Sequence, residues 1–322
     1  MGLLSCMGAQ SAFFGPLKYS ILPDHLEEKD LIGANALVEA GTFLAILLGT
    51  ILGGILILRD GGVVMISSCI FLAALAGWSA SRKIPKAPAR DPSLKVNYNI
   101  VTETWKLASR VRENKDVFLA IMGISWFWLV GFTFLAQFPV YASDVLGADE
   151  GVVTLFLTVF SIGIAFGSLL CNKLLKGEVS GVLVPFALTG MTVSIFAFWF
   201  ATPLSPMADA LIGITAFLQQ VRGWLILAGL MAVSVFGGMY IVPLYAIMQA
   251  WSEDSHRSRT IAVNNIMNAL FMVAGAVLTM FALKLNMRIQ DVFLVLAVFN
   301  IPVGFLVRRI VNHRRKEKGL PC

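Results

Sequence analysis

Charged side chains are scarce in this chain of 322 residues: they make up 14% of it, whereas apolar side chains make up 57%. Soluble domains carry about a quarter charged residues, so the composition predicts a membrane protein. The four cysteines show no paired or metal-ligand spacing and the three histidines are scattered, so we expect no metal site. The sequence also lacks a Walker-type phosphate loop and an acyltransferase His–Asp pair. We therefore expect that the protein has no cofactor and is not an enzyme.

Long apolar runs are abundant instead. A helix needs about 20 apolar residues to cross the hydrocarbon core of a bilayer. Because each such helix satisfies its own backbone hydrogen bonds, these runs predict an all-α membrane bundle. The nine predicted spans are residues 1–22, 33–58, 61–80, 117–143, 148–172, 180–202, 223–249, 261–283 and 290–311.

The basic residues predict how the bundle is oriented. The stretch 81–116 carries nine lysines and arginines against four acids, and the tail from Arg308 carries six against one. Six predicted spans separate these segments, so both lie on one face, which the positive-inside rule assigns to the cytoplasm. The net charge of +6 is thus a topology signal, and we expect no nucleic-acid partner. The C-terminus is predicted to be cytoplasmic.

This pattern divides the chain into four parts. Residues 1–80 hold three spans, 81–116 form a basic cytoplasmic linker, 117–311 hold six spans, and 312–322 are a basic cytoplasmic tail. Within the linker, one helical face predicts an amphipathic helix lying at the membrane interface, although a solvated linker with a helical patch explains the same pattern. That face holds Ile100, Val101, Trp105, Ala108 and Val111.

Two charged residues fall within the predicted spans, Lys18 and Glu39. At about 1.5 Å rise per residue, both lie roughly 6–10 Å inside the same membrane face, so neighbouring antiparallel helices would place them side by side. A charge in lipid is costly and usually faces a partner or a wet cavity. We predict a site for a polar headgroup or a coupling ion, with Asn35 one turn before Glu39. Snorkelling of Lys18 and a structural ion pair are the alternatives.

A second group of polar residues lies in the predicted six-span part. Asn264 and Asn268 are one turn apart on one span, Tyr240 belongs to a span that Pro243 makes easy to kink, and Gln137 is the main polar group of its span. These residues are candidates to line a polar cavity. Hydrogen bonds between helices explain each of them singly.

One stretch carries a family resemblance. Residues 10–54, with the P-x-K-Y-x-I-L core at 16–22 and N-x-L-x-E at 35–39, resemble the bacterial lysophospholipid transporter family of the major facilitator superfamily. The transporter portion found fused to phospholipid acyltransferases is especially similar. "GGMYIVPLYAIMQ" at 237–249 and the asparagine-bearing span after it are a weaker match. The resemblance covers nearly the whole chain, from the family's fourth helix to its twelfth.

The resemblance implies a fold and an activity. The fold would be two pseudo-symmetric six-helix halves, here without the first three helices. The protein would move lysophospholipids, chiefly lysophosphatidylethanolamine, across the bacterial inner membrane for re-acylation. Lys18, with Tyr19 beside it in the motif, would meet the phosphate, and Glu39 would line the same polar track.

Two departures from the family concern charge. The acidic motif of the family's first helix has no counterpart, and the span 117–143 lacks an arginine that some relatives carry, with Leu135 or Gln137 in that place. The sequence therefore supports no scheme of ion coupling based on those charges.

Three hypotheses follow. The leading one is a lysophospholipid transporter working by alternating access, with lysophospholipid and membrane lipids as its ligands. A multidrug efflux transporter would also favour an aromatic cavity with few charges. The third hypothesis is a membrane anchor that does not transport, and that docks an acyltransferase on its basic linker and tail.

Overall fold

The computed structural model describes residues 2–57, 59–87, 99–203, 211–254 and 256–317. These residues are almost entirely helical, and the only strand-like pairing among them is an isolated parallel bridge between Ala148 and Ile212. The helices are α1 (Gly2–Ser20), α2 (Leu22–His25), α3 (Leu31–Ile57), α4 (Gly62–Ser81), α5 (Ile100–Val111), α6 (Lys115–Val140), α7 (Glu150–Leu175), α8 (Leu183–Ala201), α9 (Ile214–Leu218), α10 (Val221–Ala250), α11 (Arg257–Lys284) and α12 (Ile289–Glu317).

Eight of these helices are long and apolar enough to cross a membrane: α3, α4, α6, α7, α8, α10, α11 and α12. The predicted all-α, multi-pass membrane protein is therefore confirmed. The first predicted span is a helix of 19 residues, α1, but it is not among the eight, so its crossing of the membrane stays a prediction. Helix α12 continues to Glu317, past the predicted end at residue 311, because the basic tail is rich in good helix formers. Residues 318–322 lie outside the described residues.

Polar side chains fix where several helices begin. The Asn114 side chain accepts a hydrogen bond from the Val117 amide at 3.2 Å and caps α6. The Asp149 carboxylate accepts from the Gly151 amide at 2.9 Å and caps α7. Such caps satisfy amides that the helix itself leaves unpaired. These two caps therefore fix the residues at which α6 and α7 begin.

Helices α6 to α12 pack around α10, which contacts α6, α7 and α8. Helices α7 and α10 can approach closely because Gly238 has no side chain. A Cβ atom at this position would collide with the carbonyl oxygen of Ile164. Aromatic rings fill the centre; Phe134 stacks on Phe293 with 4.2 Å between ring centroids and 10° between ring planes. Aromatic packing therefore dominates the centre of this six-helix part.

Helices α1 and α4 pack much less than the helices of the six-helix part. Helix α1 contacts α11, α3 contacts α7 and α10, and α4 packs mainly on α3. None of the most apolar 18-residue window of α4 is buried, whereas two thirds of the windows of α6 and α10 are. Most of α4 is therefore an exposed apolar surface.

Helix α5 occupies the predicted basic linker and packs against α11 and α6. Val111 is buried and Trp105 is exposed at 71%. A helix thus lies within the predicted linker, and its amphipathic role at the membrane interface stays a prediction. The side chains of Ile100 and Val101, which belonged to the predicted apolar face, lie outside the described residues.

Candidate functional site

Helices α1, α3 and α10 meet at one end of the bundle around Tyr19, which is buried. Its hydroxyl donates a hydrogen bond of 2.5 Å to Oε1 of Glu39. Its ring stacks on Tyr245 with 4.3 Å between centroids and 7° between planes. One tyrosine of α1 thereby contacts both α3 and α10.

Lys18 lies at the edge of this cluster. Its Nζ donates to the Thr42 hydroxyl at 3.3 Å and lies 4.7 Å from the centroid of the Tyr19 ring. Among the described residues, no ion pair joins Lys18 to Glu39. The hydrogen-bond partner of Glu39 is the Tyr19 hydroxyl. The two charges share one corner as predicted, but the direct side-by-side pair does not form. Consecutive residues point about 100° apart around a helix, so Tyr19 faces Glu39 and Lys18 does not.

Glu39 is completely buried, and its Oε2 atom has no hydrogen-bond partner in the part of the chain that the structure describes. Burying a polar atom without a partner is costly, and burying a charge costs more. The carboxyl group therefore offers an unfilled acceptor position.

Two side-chain amides join α3 to α10. Asn35 donates to Oε1 of Gln249 at 2.6 Å, and Gln249 Nε2 donates to Oδ1 of Asn35 at 3.2 Å and to the Tyr19 carbonyl oxygen at 3.1 Å. Gln249 and Tyr245 were not among the predicted site residues. Their spacing was a usable signal: Gln249 follows Tyr245 by one helical turn, so both lie on one face of α10.

The predicted asparagine pair on α11 lies next to this cluster. Asn264 lies against the Tyr245 hydroxyl, yet neither of its amide atoms has a hydrogen-bond partner of ordinary geometry among the described residues. The Tyr245 hydroxyl accepts from the Trp128 indole at 3.0 Å. Asn268 accepts a hydrogen bond of 2.8 Å from Ser125, which is the structural role expected of an interhelical contact.

Two predicted residues stand apart from the cluster. The Tyr240 hydroxyl is buried beside Gly123 and has no hydrogen-bond partner in the described ranges. Gln137 is half-buried and follows Trp128 by nine residues on α6. This is about 13 Å farther along the helix, toward the opposite membrane face. The structure brings six of the eight predicted residues near one another and leaves these two elsewhere in the bundle.

The buried residues of α1 and α3 lie near one end of these helices, the end that holds Tyr19. The last buried residue of α3 is Leu47, and the ten residues after it are exposed or half-buried. In α1, Tyr19 is the only buried residue whose side chain the structure describes. Contacts therefore concentrate at the Tyr19 end and diverge toward the other end.

Charged residues of the loop between α10 and α11 form local pairs. Arg257 is ion-paired with Asp254, and His256 lies 3.3 Å from the Glu253 carboxylate. Each pair joins residues three apart in sequence. Both of these pairs are therefore local to the loop.

The cluster combines few polar groups with a large apolar surround. It offers the cationic Nζ of Lys18, the free acceptor of Glu39 and the unpaired amide of Asn264. A sugar would need many hydrogen-bonding side chains, whereas a ligand with one charged head and an apolar tail needs only a few.

Comparison with known proteins places the chain in a family. The family model of the Major Facilitator Superfamily matches residues 1–218, which is more than half of the chain. The chain belongs to the major facilitator superfamily. This membership agrees with a bundle of membrane-spanning helices and with the family resemblance of residues 10–54.

Curated relatives within the major facilitator superfamily carry a more specific name. The chain is 30% identical over 265 residues to "Lysophospholipid transporter LplT" of Klebsiella pneumoniae and 28% identical over 265 residues to the proteins of that name from Escherichia fergusonii and Serratia proteamaculans. Each match covers 81% of this chain and 61% of the relative. The chain thus spans about three fifths of the length of these relatives.

A solved structure of the same superfamily has a similar fold. The crystal structure of a variant of the E. coli fucose:proton symporter FucP matches with a TM-score of 0.62 at 12% sequence identity. The match covers 94% of this chain and 74% of the symporter chain. At this identity the likeness concerns the fold alone.

Proposed function

We propose that this chain moves lysophospholipids, with lysophosphatidylethanolamine as the main substrate, across the bacterial inner membrane for re-acylation. The observation that carries the proposal is the Lys18–Tyr19–Glu39 cluster, which lies within the stretch that resembles lysophospholipid transporters. The relatives named as lysophospholipid transporters support it over 81% of the chain. Because the chain spans 61% of these relatives, the activity of a whole transporter is part of the proposal.

In this proposal the Lys18 ammonium meets the substrate phosphate. Among the described residues, the ammonium makes one hydrogen bond, 3.3 Å long, to Thr42, and it can exchange that bond for a charge-assisted bond to phosphate. Glu39 and Asn264 supply an acceptor and an amide to the polar remainder of the headgroup. Asn35, Asn268, Gln137 and Tyr240 would line the rest of the polar path.

Alternating access is proposed between residues 1–80 and the six helices of 117–311. The contacts of α1 and α3 with α10 at the Tyr19 end support a state closed at that face. With residues 81–116 and 312–322 in the cytoplasm, this would be the cytoplasmic face. Opening would separate Tyr19 from Tyr245 and Asn35 from Gln249.

Uptake of labelled lysophosphatidylethanolamine into cells without their own transporter tests the proposal. The chain is compared with a version that has the three upstream helices of a relative, and with Lys18→Ala and Glu39→Ala in both. We expect uptake by the extended version to fall at least tenfold in each variant when it is compared at equal membrane abundance. Arg82→Ala is the matched control, since Arg82 is a basic residue exposed at the end of α4.

Absence of uptake by a well-folded extended chain would refute the proposal. Export of hydrophobic cations without lipid uptake would instead favour the efflux hypothesis. The acyltransferase partner is tested separately, by co-purification with and without residues 81–116. Partner loss on deletion, with uptake unchanged, would support docking on the basic linker.

A further inference from the structure

A cleft between α8 and α12 opens on the outer surface of the six-helix part. Its volume is about 290 Å³. Its walls include Val193, Ile301 and Phe305, which are exposed at 62%, 52% and 67%. Neither α8 nor α12 is a main contact of α1 or α3, so the cleft is separate from the Tyr19 cluster. In a bilayer, this surface faces lipid.

One wall residue of the cleft carries a buried amide donor without a partner among the described residues. Asn300 is exposed at only 1% and lines the cleft. Its Oδ1 accepts a hydrogen bond of 2.7 Å from the Trp126 indole, which fixes the orientation of the amide. Its Nδ2 has no partner among the described residues. Water is scarce at this depth, so an unpaired amide there is costly and favours a bound acceptor.

A second donor lies two turns farther along α12. Arg308 also lines the cleft, and eight residues of helix separate its Cα atom from that of Asn300 by about 12 Å. Gly304 lies between them, so no side chain on that turn blocks the floor of the cleft. A guanidinium is a preferred partner of phosphate.

The remaining polar groups in the cleft are already paired. The hydroxyls of Thr189 and Thr192 donate to the carbonyl oxygens of Pro185 and Leu188 at 2.9 Å and 2.8 Å. The free capacity of the cleft is therefore a cation near one end, an amide donor deeper in the membrane and apolar walls. Its occupant must present an anion, a deeper acceptor and a hydrocarbon chain in that order.

We propose that the cleft binds a diacyl phospholipid of the surrounding membrane, with its phosphate on Arg308 and an ester carbonyl accepting from Asn300 Nδ2. The phosphate, the ester and the acyl chain of such a lipid follow one another from the membrane surface inward. The site belongs to the leaflet at which α12 ends, and it holds a resident lipid that is not transported. It does not depend on the proposed function.

Native mass spectrometry of the purified chain tests this site with two probes. The probes are phosphatidylglycerol with two ester-linked chains and its analogue with two ether-linked chains, which lacks the carbonyl groups. We expect one tightly bound ester lipid, with affinity about tenfold lower in Arg308→Gln. Arg309→Gln is the control, because the neighbouring arginine does not line the cleft, and it should change affinity less than twofold.

The carbonyl contact has its own test, which works in the unmodified chain. The ether lipid should bind about threefold more weakly than the ester lipid. In Asn300→Leu the two lipids should bind equally. Equal affinity of both lipids for the unmodified chain would overturn the carbonyl contact, and equal effects of Arg308→Gln and Arg309→Gln would overturn the site. A dimer without retained lipid would also overturn it, since a second chain would then cover the cleft.

Discussion

The six-helix part and the contact between that part and the first helices use different chemistry. At the centre of α6 to α12, aromatic rings such as Phe134, Phe198 and Phe293 make the main contacts. Between α1, α3 and α10, a hydroxyl, a carboxyl and two amides make the closest contacts. Hydrogen bonds can be exchanged for bonds to water or ligand at small net cost, whereas a void in an aromatic core has no substitute. In the proposed alternating access, the aromatic packing would persist while the polar contacts between α1, α3 and α10 are exchanged.

The largest effect is expected from Phe134→Ala in the aromatic core. The substitution removes a ring that contacts Phe293, Phe198, Phe138 and Phe160, and it should lower the free energy of unfolding by about 3–5 kcal/mol. Reversible unfolding in mixed micelles measures the change. Phe71→Ala is the control, because this phenylalanine of α4 is exposed at 63% and should cost less than about 0.5 kcal/mol. Equal losses would remove the contrast between the two regions.

Gln249→Leu is expected to have the next largest effect. It leaves the buried Asn35 amide without its partner on α10 and should cost about 1–3 kcal/mol in the same unfolding measurement. The double variant Asn35→Leu with Gln249→Leu should recover part of this loss, because two apolar side chains then face each other. Additive losses in the double variant would show that the two amides act independently.

Tyr19→Phe should have a smaller effect on stability. The ring keeps its stack on Tyr245, and only the hydrogen bond to Glu39 is lost, at about 1–2 kcal/mol for a bond to a carboxyl group. A double-variant cycle with Glu39→Gln measures the coupling energy directly. Coupling near zero would mean that the 2.5 Å contact does not contribute to the closed state.

Thr42→Val should have the smallest effect. Lys18 loses its hydroxyl acceptor but keeps its position over the Tyr19 ring, so we expect at most about 0.5 kcal/mol in the same measurement. A loss as large as that of Gln249→Leu would indicate that Lys18 holds the two parts together more strongly than its contacts suggest.

The apolar runs were enough to predict the long helices, because a membrane span has a fixed length and must pair its own backbone. The scarcity of charge likewise pointed to Lys18 and Glu39, and Tyr19 came with the motif around Lys18. Which groups actually pair depends on rotation about each helix axis, and this put Tyr19 rather than Lys18 against Glu39. Gln249 was missed because nothing in its own span shows that Asn35 lies opposite, 214 residues away.

The stack of Tyr19 on Tyr245 also gives the contact a direction. The ring planes are only 7° apart, so the rings resist being pressed together or tilted but can slide past each other in their shared plane. Movement of α1 away from α10 would therefore begin as shear along that plane. A larger ring, as in Tyr245→Trp, would slow this sliding. The substitution should therefore change the rate of the proposed conformational exchange more than its equilibrium.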